Sequence, residues 1–210
     1  MKKEIRHNQR DVSLPRVRPQ GAGVVRIIAG QWRRTPLPVA QLPGLRPTGD
    51  RIRETVFNWL QLLLVDLTEV NGLDMFAGSG ALGFELASRG AKRVLLFEKN
   101  KIAARNLSGI KAKLKANNLE VINGDCLNFL SRSSERFDII FIDPPFALNY
   151  HEKAIEAACR HLNPGALIYV ESPADWSCEE LFKRFALEIV RDGHAGAVAY
   201  RILRKKECEL

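Results

Sequence analysis

From Gly72 to Ser172 the chain alternates short apolar runs with amphipathic stretches, and that rhythm limits the fold more than any other feature. "GLDMFA", "RVLLFE", "LEVIN", "FDIIFID" and "GALIYVES" read as strands. Between them, "GALGFELASRG", "NKIAARNLSGIKAKLKAN", "DCLNFLSR" and "YHEKAIEAACRHL" read as helices, and "CEELFKRF" adds a short one after the fifth strand. Strands separated by helices need crossover connections. They predict a doubly wound, mostly parallel α/β sheet, Rossmann-like, with helices on both faces. The tail "ALEIVRDGHAGAVAYRILRKK" holds two β-rich runs around "DGHAG" and predicts a C-terminal antiparallel hairpin.

The N-terminal part is organised differently. Residues 1–23 are rich in Lys and Arg and lack apolar periodicity, which predicts a basic, weakly ordered arm. Residues 24–45 contain "VVRIIAGQWRRTPLPVA", two short apolar runs with Pro36 and Pro38 in the second, and predict a small β-hairpin extension. The main domain then spans 46–210. The turn-rich "LPGLRPTGD" crosses into it, and there Thr48 or Asp50 can cap the helix "RIRETVFNWLQLLLVDL". Ile52, Val56, Phe57, Leu60, Leu63 and Leu64 give that helix one apolar face.

Composition narrows the partners. With 210 residues, 46% of them hydrophobic and 27% charged, the chain fits one domain with a full core. The apolar runs are too short for a membrane span, and the charged N-terminus lacks a secretory h-region. A cytoplasmic monomer is the expectation. Lys and Arg number 32 against 24 acids, and the net charge of +8 favours an anionic partner, nucleic acid first. Cys126, Cys159, Cys178 and Cys208 are scattered without a CxxC pair, so reduced thiols are expected and no metal site.

"DMFAGSGALG" places Gly78, Gly80 and Gly83 in a G-x-G-x-x-G between a strand and a helix, and Glu98 ends the next strand. Spacing alone fits a nicotinamide dinucleotide, and with it an oxidoreductase. A bare tight turn gives the same pattern. Asp74, inside the preceding strand, argues against the dinucleotide, because a carboxylate there repels a pyrophosphate. It attracts the sulfonium and ammonium of S-adenosylmethionine. Glu98 then suits the ribose hydroxyls and Asp125, in "NGDCL", the adenine amine. Each acid taken alone could be a helix cap.

The fourth strand ends in "FIDPPF". Pro144 and Pro145 fix φ and lack N–H groups, so Asp143-Pro144-Pro145 forms a stiff bend. The Asp143 carboxylate and the Pro144 carbonyl are two acceptors suited to one –NH2 group, and Phe146 offers a face for a planar base. An exocyclic base amine is a poor nucleophile, so methyl transfer to it needs mainly positioning and electrostatics. The target base must be unpaired or flipped out. The alternative reading is a proline-terminated strand with a core phenylalanine.

"DMFAGSGALGFEL", "LFEKN", "NGDCLNFL" and "FIDPPF" resemble the class I S-adenosylmethionine-dependent methyltransferases of exocyclic amines. "RIIAGQWRRTPLPV" and "RPTGDRIRETVFNWL" resemble more narrowly the RsmD family, guanine-N2 methyltransferases of small-subunit (16S) ribosomal RNA. The resemblance covers residues 24–205. It implies that Thr48, Asp74, Phe76, Gly78, Gly80, Glu98, Asp125 and Cys126 contact the cofactor. It implies that Asp143, Pro144, Pro145 and Phe146 form the catalytic loop. Arg46, Arg51 and Arg53 are implied to line the site, for the methionine carboxylate or an RNA phosphate. With Arg26, Arg33 and Arg34 they form a basic cluster expected to bind RNA, while Trp32 either stacks on a base or anchors the hairpin. Gly49 stands where a Thr or Ser is usual. The implied substrate is ribosomal RNA in an assembling or assembled small subunit. An adenine-N6 or protein-glutamine methyltransferase and a non-catalytic RNA-binding relative are the alternatives.

Overall fold

The computed structural model describes residues 24–38, 49–146 and 149–206. The arm, Arg46, Thr48 and Cys208 lie outside the described residues. Strands β1 (Val24–Arg26) and β2 (Pro36–Pro38) pair antiparallel as a two-stranded ribbon. Helix α1 (Asp50–Leu63) and a 3-10 turn (Leu67–Glu69) lead into the main sheet. Its parallel part is built by β3 (Asn71–Asp74), α2 (Ala81–Ser88), β4 (Arg93–Glu98), α3 (Lys101–Leu114), β5 (Leu119–Asn123), α4 (Cys126–Leu130) and β6 (Phe137–Ile142). α5 (His151–Arg160), β7 (Leu162–Pro173), α6 (Glu179–Arg184), β8 (Leu187–Ala195) and β9 (Val198–Lys205) complete it.

The seven strands lie in the order β5-β4-β3-β6-β7-β9-β8. The first five are parallel, and β9 pairs antiparallel with both β7 and β8. The chain starts in the middle of the sheet at β3, winds outward through β4 and β5, then returns to β6 on the other side. β3 and β6 therefore flank the switch point, where the βα loops diverge and leave a crevice at the carboxyl ends of the strands. Alternation along the strands sends Phe141, Tyr169 and Ile202 to a core shared with α1 and α2. Ile140, Ile168 and Leu203 go to a second core with α4, α5 and α6. Both faces are covered, as the continuous apolar runs require.

Two expectations about α1 are corrected. The helix stops at Leu63 instead of running on to Leu67, because Leu64 is extended and Asp66 accepts from Thr68 N–H at 2.8 Å to start the 3-10 turn. Its N-cap is Gly49, which makes no side-chain cap bond, so Asp50 is no cap. Asp50 is instead the first helical residue and pairs with Arg53 Nη2 at 2.6 Å.

α2 is buried along its whole length, Glu85 and Ser88 included. The hairpin covers it. Glu85 accepts from the N–H groups of Ile28 at 2.6 Å and Ala29 at 3.0 Å. Ser88 Oγ accepts from Trp32 N–H at 3.0 Å and donates to the Ala29 carbonyl at 2.7 Å. Gly30, at φ +80°, turns the chain directly over Ser88, and a Cβ there would lie 1.9 Å from the Ser88 carbonyl oxygen. Val25, Ile27 and Leu37 join the α1–α2 core, so the hairpin packs as part of the main body.

Candidate active site

Gly78 (φ +53°) and Gly80 (φ +76°) curl the chain between β3 and α2, and Gly80 is the N-cap of α2 in the left-handed region. A Cβ on Gly83 would lie 2.5 Å from Leu96 of β4, so the third glycine of the motif lets α2 approach the sheet closely. The loop's other attachments are hydrogen bonds from Met75 N–H to the Phe141 carbonyl and from Ala77 N–H to the Phe97 carbonyl.

All three acids read from the sequence converge on this crevice, and each accepts from main-chain N–H groups. Glu98 holds the loop, with Oε2 on Gly78 N–H at 2.8 Å and Oε1 on Asn100 N–H at 2.7 Å. Asp125 does serve as a helix cap, its Oδ1 taking Leu127 N–H at 2.9 Å while Lys99 Nζ sits 3.2 Å from Oδ2. Asp74 is 2% exposed and accepts from Gly83 N–H at 3.2 Å. Burial pushes its carboxyl up to about 7, and the neighbouring Glu98 charge adds to the rise against the main-chain bonds from Gly83 and Phe76. Among the described residues no cationic side chain forms an ion pair with Asp74. A carboxylate buried at such cost beside an open loop suits a cationic ligand.

Asp143 follows β6, two residues past Phe141, and Phe141 pairs with Asp74 across the switch point. The Asp-Pro-Pro-Phe bend thus sits beside the glycine loop. Pro144 is buried, whereas Pro145 and Phe146 are exposed. Phe76 stacks on Tyr150 with ring centroids 6.2 Å apart, joining the glycine loop to the start of α5. Phe146 lies 5.9 Å from the His151 ring, which lies 4.9 Å from Trp176. His151 is buried, its ring nitrogen 2.9 Å from the Glu171 carbonyl, and burial lowers its basicity so that it stays neutral near pH 7. Tyr150, His151, Glu171 and Trp176 were missed in the sequence. No motif marks them, since they come together only when α5 and β7 dock beside β6.

The basic residues separate into two groups. Arg26, Arg33, Arg34 and Arg51 are exposed on the hairpin and α1. Arg53 is not available to RNA: its side chain is 0% exposed, bonded to the Arg26 carbonyl at 2.8 Å and 3.8 Å from Glu85. It faces inward because α1 turns the Arg53 side of the helix onto α2 and the hairpin, where the Glu85 carboxylate provides a counter-charge. Trp32 packs against the core and anchors the hairpin turn. The Cys126 thiol is buried, and burial together with the charges of Asp74 and Asp125 raises it far above the thiolate range, so its sulfur stays neutral. Cys126, Cys159 and Cys178 are free and buried. Among the described residues no His, Cys, Asp and Glu cluster is arranged for a metal ion, and no helix is long and apolar enough to cross a membrane.

A doubly wound sheet of this order, with a glycine loop, an acid as the last residue of β4 and an Asp-Pro-Pro-Phe bend at the switch point, has the architecture of the class I methyltransferases. The family model described as "Conserved hypothetical protein 95" matches residues 25–204. The chain belongs to this family, the RsmD family that its motifs resemble. The Haemophilus influenzae protein named "Ribosomal RNA small subunit methyltransferase D" is 43% identical over 190 residues, covering 88% of this chain and 95% of that one. The Escherichia coli K12 protein of the same name is 42% identical over 197 residues, 89% of this chain and 92% of that one. The solved "Putative methyltransferase yhhF" from Escherichia coli superposes with a TM-score of 0.75 at 40% identity, covering 88% of this chain and 99% of that one.

Proposed function

We propose that this chain transfers a methyl group from S-adenosylmethionine to the N2 amine of a guanine in small-subunit ribosomal RNA. The observation that carries the reading is the Asp143-Pro144-Pro145-Phe146 bend set at the switch point, one strand from Asp74 and the glycine loop. The relatives' names, which specify small-subunit ribosomal RNA methylation, support the substrate class. Asp74, Glu98 and Asp125 fit a nucleoside with a cationic tail, as argued from their burial and spacing.

S-adenosylmethionine, when bound, supplies the methyl group on its sulfonium. Asp74 would face its cationic end, and Glu98 would take the ribose hydroxyls through the carboxylate that Gly78 and Asn100 already orient. Asp125 would meet the adenine amine, with Lys99, an exposed side chain, able to swing aside. Asp143 and the Pro144 carbonyl would accept hydrogen bonds from the two amine N–H groups, aiming the nitrogen lone pair at the methyl. Once the methyl is transferred and the neutral thioether leaves, the Asp143 carboxylate is placed to take the one proton the nitrogen must lose. Phe146 stacks on the flipped base. Arg26, Arg33, Arg34 and Arg51, with Arg46, carry the RNA backbone, positioning it without selecting the base. The arm of residues 1–23, the hairpin extension of 24–45 and the transferase domain of 46–210 are the working units of a cytoplasmic monomer acting on an assembling or assembled subunit.

The reading is tested by incubating the protein with labelled S-adenosylmethionine and small subunits from cells lacking this activity, then digesting the RNA. Labelled N2-methylguanosine is expected. Labelled N6-methyladenosine would move the target to adenine, and binding of NAD without S-adenosylmethionine would overturn the cofactor.

A further inference from the structure

Glu171 is a buried carboxylate to which the methyl-transfer scheme above gives no task. It lies on β7 beside the Asp143 bend. β6 and β7 pair in parallel with Phe141 opposite Tyr169 and Ile142 opposite Val170, so one further step sets Asp143 beside Glu171. Adjacent strands run about 4.8 Å apart. The Phe141 and Tyr169 rings meet at 5.9 Å on one face, and alternation returns Glu171 to that face. Glu171 is 5% exposed, and its Oε1 accepts from the Tyr169 hydroxyl at 2.7 Å. Burial first, then the charge and hydrogen bond of Glu171 and the charge of Asp143, hold the Tyr169 phenol protonated well above its ordinary range. Tyr169 therefore feels both carboxylates and donates to one of them, which fixes the orientation of that group. The His151 ring against the Glu171 carbonyl ties this point of β7 to the aromatic row of Phe146 and Trp176. That contact is to the main chain; the Glu171 carboxylate itself lies on the Tyr169 face of the sheet, next to Asp143.

We infer that Glu171 determines base specificity by accepting the N1–H of the target guanine while Asp143 accepts from its N2 amine. This rests on the guanine-N2 reading above. Guanine presents two neighbouring donors on its Watson–Crick edge, N1–H and N2–H, and side-by-side carboxylates are acceptor-only partners for both. Adenine presents an N1 lone pair beside its amine, which the second carboxylate repels. Glu171 would therefore select by rejection as well as by attraction.

The test uses small-subunit RNA ligated to carry either guanine or 2-aminopurine at the nucleotide that the wild-type protein methylates, then reconstituted into subunits. 2-Aminopurine keeps the 2-amino group but offers a lone pair at N1. Single-turnover transfer is measured for wild type, Glu171→Gln and Tyr169→Phe, with cofactor affinity measured beside it. Wild type is expected to prefer guanine. Glu171→Gln should lose roughly 10- to 100-fold on guanine and gain on 2-aminopurine, because its amide can donate to N1, with cofactor affinity unchanged. Tyr169→Phe keeps the carboxylate and should keep the guanine preference. An unaltered preference in Glu171→Gln overturns the inference, and so does an equal loss on both bases accompanied by a lower melting temperature, which marks a structural role. Wild-type product on adenine would instead sink the guanine-N2 reading, and the inference with it.

Discussion

Asp74 shows how burial can tune one side chain. Its carboxyl is raised from 3.8 to about 7, chiefly by burial. The folded protein therefore holds a proton there between these values, and the stability this contributes is lost as pH rises through about 7. A cationic cofactor favours the charged form and pulls the other way. Cofactor affinity should climb as pH rises from 6 to 8, with proton release at pH 6 that calorimetry in two buffers of different ionisation heat can count. Asp74→Asn should flatten that dependence and weaken binding on the order of 10- to 100-fold. It should also raise the melting temperature of the empty protein at pH 8, by about 2–8 °C. Equal affinity at both pH values would remove Asp74 from the cation site. Phe146 is a simpler case: partly exposed, it has little core to lose. Phe146→Ala should raise the RNA concentration needed for half-maximal rate by roughly 5- to 100-fold, the worth of one base–aromatic stack, while Phe146→Tyr stays near wild type. Equal KM values for wild type and Phe146→Ala would place the base elsewhere.

At the scale of elements, the hairpin and α2 act as one unit through Glu85. That carboxylate takes two main-chain N–H groups, the Arg89 Nε at 2.8 Å and the field of Arg53. Removing it takes the carboxylate from buried Arg89, leaves Arg53 with only Asp50 and the Arg26 carbonyl, and frees two half-buried N–H groups. Glu85→Ala should cost about 3–5 kcal/mol in a thermal or denaturant melt, and a loss under 1 kcal/mol would mean the hairpin is held by its apolar contacts alone. Glu85→Gln, which keeps acceptors for the hairpin, should cost less. The same ribbon presents Arg33 and Arg34 to solvent. Reversing both charges should weaken RNA association and make it less sensitive to salt, leaving cofactor affinity unchanged. Filter binding across a salt series reads this directly. An unchanged slope would move the docking surface off the hairpin.

Across the whole molecule, the parts written in local sequence were legible and the parts assembled between distant segments were not. The helices and strands of the alternating region occur in the order that periodicity put them, because apolar spacing and turn residues act over a few positions. But β3 stops at Asp74, short of Ala77, and β7 begins at Leu162, which reads as the end of a helix. The glycine loop, Glu98 and the Asp143 bend were visible for the same reason, each being a contiguous signal at the end of a strand. Arg53 misled, since a charged residue one position from the apolar face of α1 reads as solvated until Glu85, 32 positions on, comes to meet it. Glu171 and His151 carried no signal at all, because their neighbours are set by the docking of β7 and α5. We propose that the Asp143 bend holds a base amine against the cofactor crevice. The most direct measurement of it is single-turnover transfer of labelled methyl to small-subunit RNA by Asp143→Ala, beside its cofactor affinity. Loss of one positioned acceptor should slow the step on the order of 100- to 1,000-fold, with Asp143→Asn less affected and cofactor affinity preserved in both. Transfer by Asp143→Ala at the wild-type rate would contradict the account, leaving the bend as nothing more than the end of a strand.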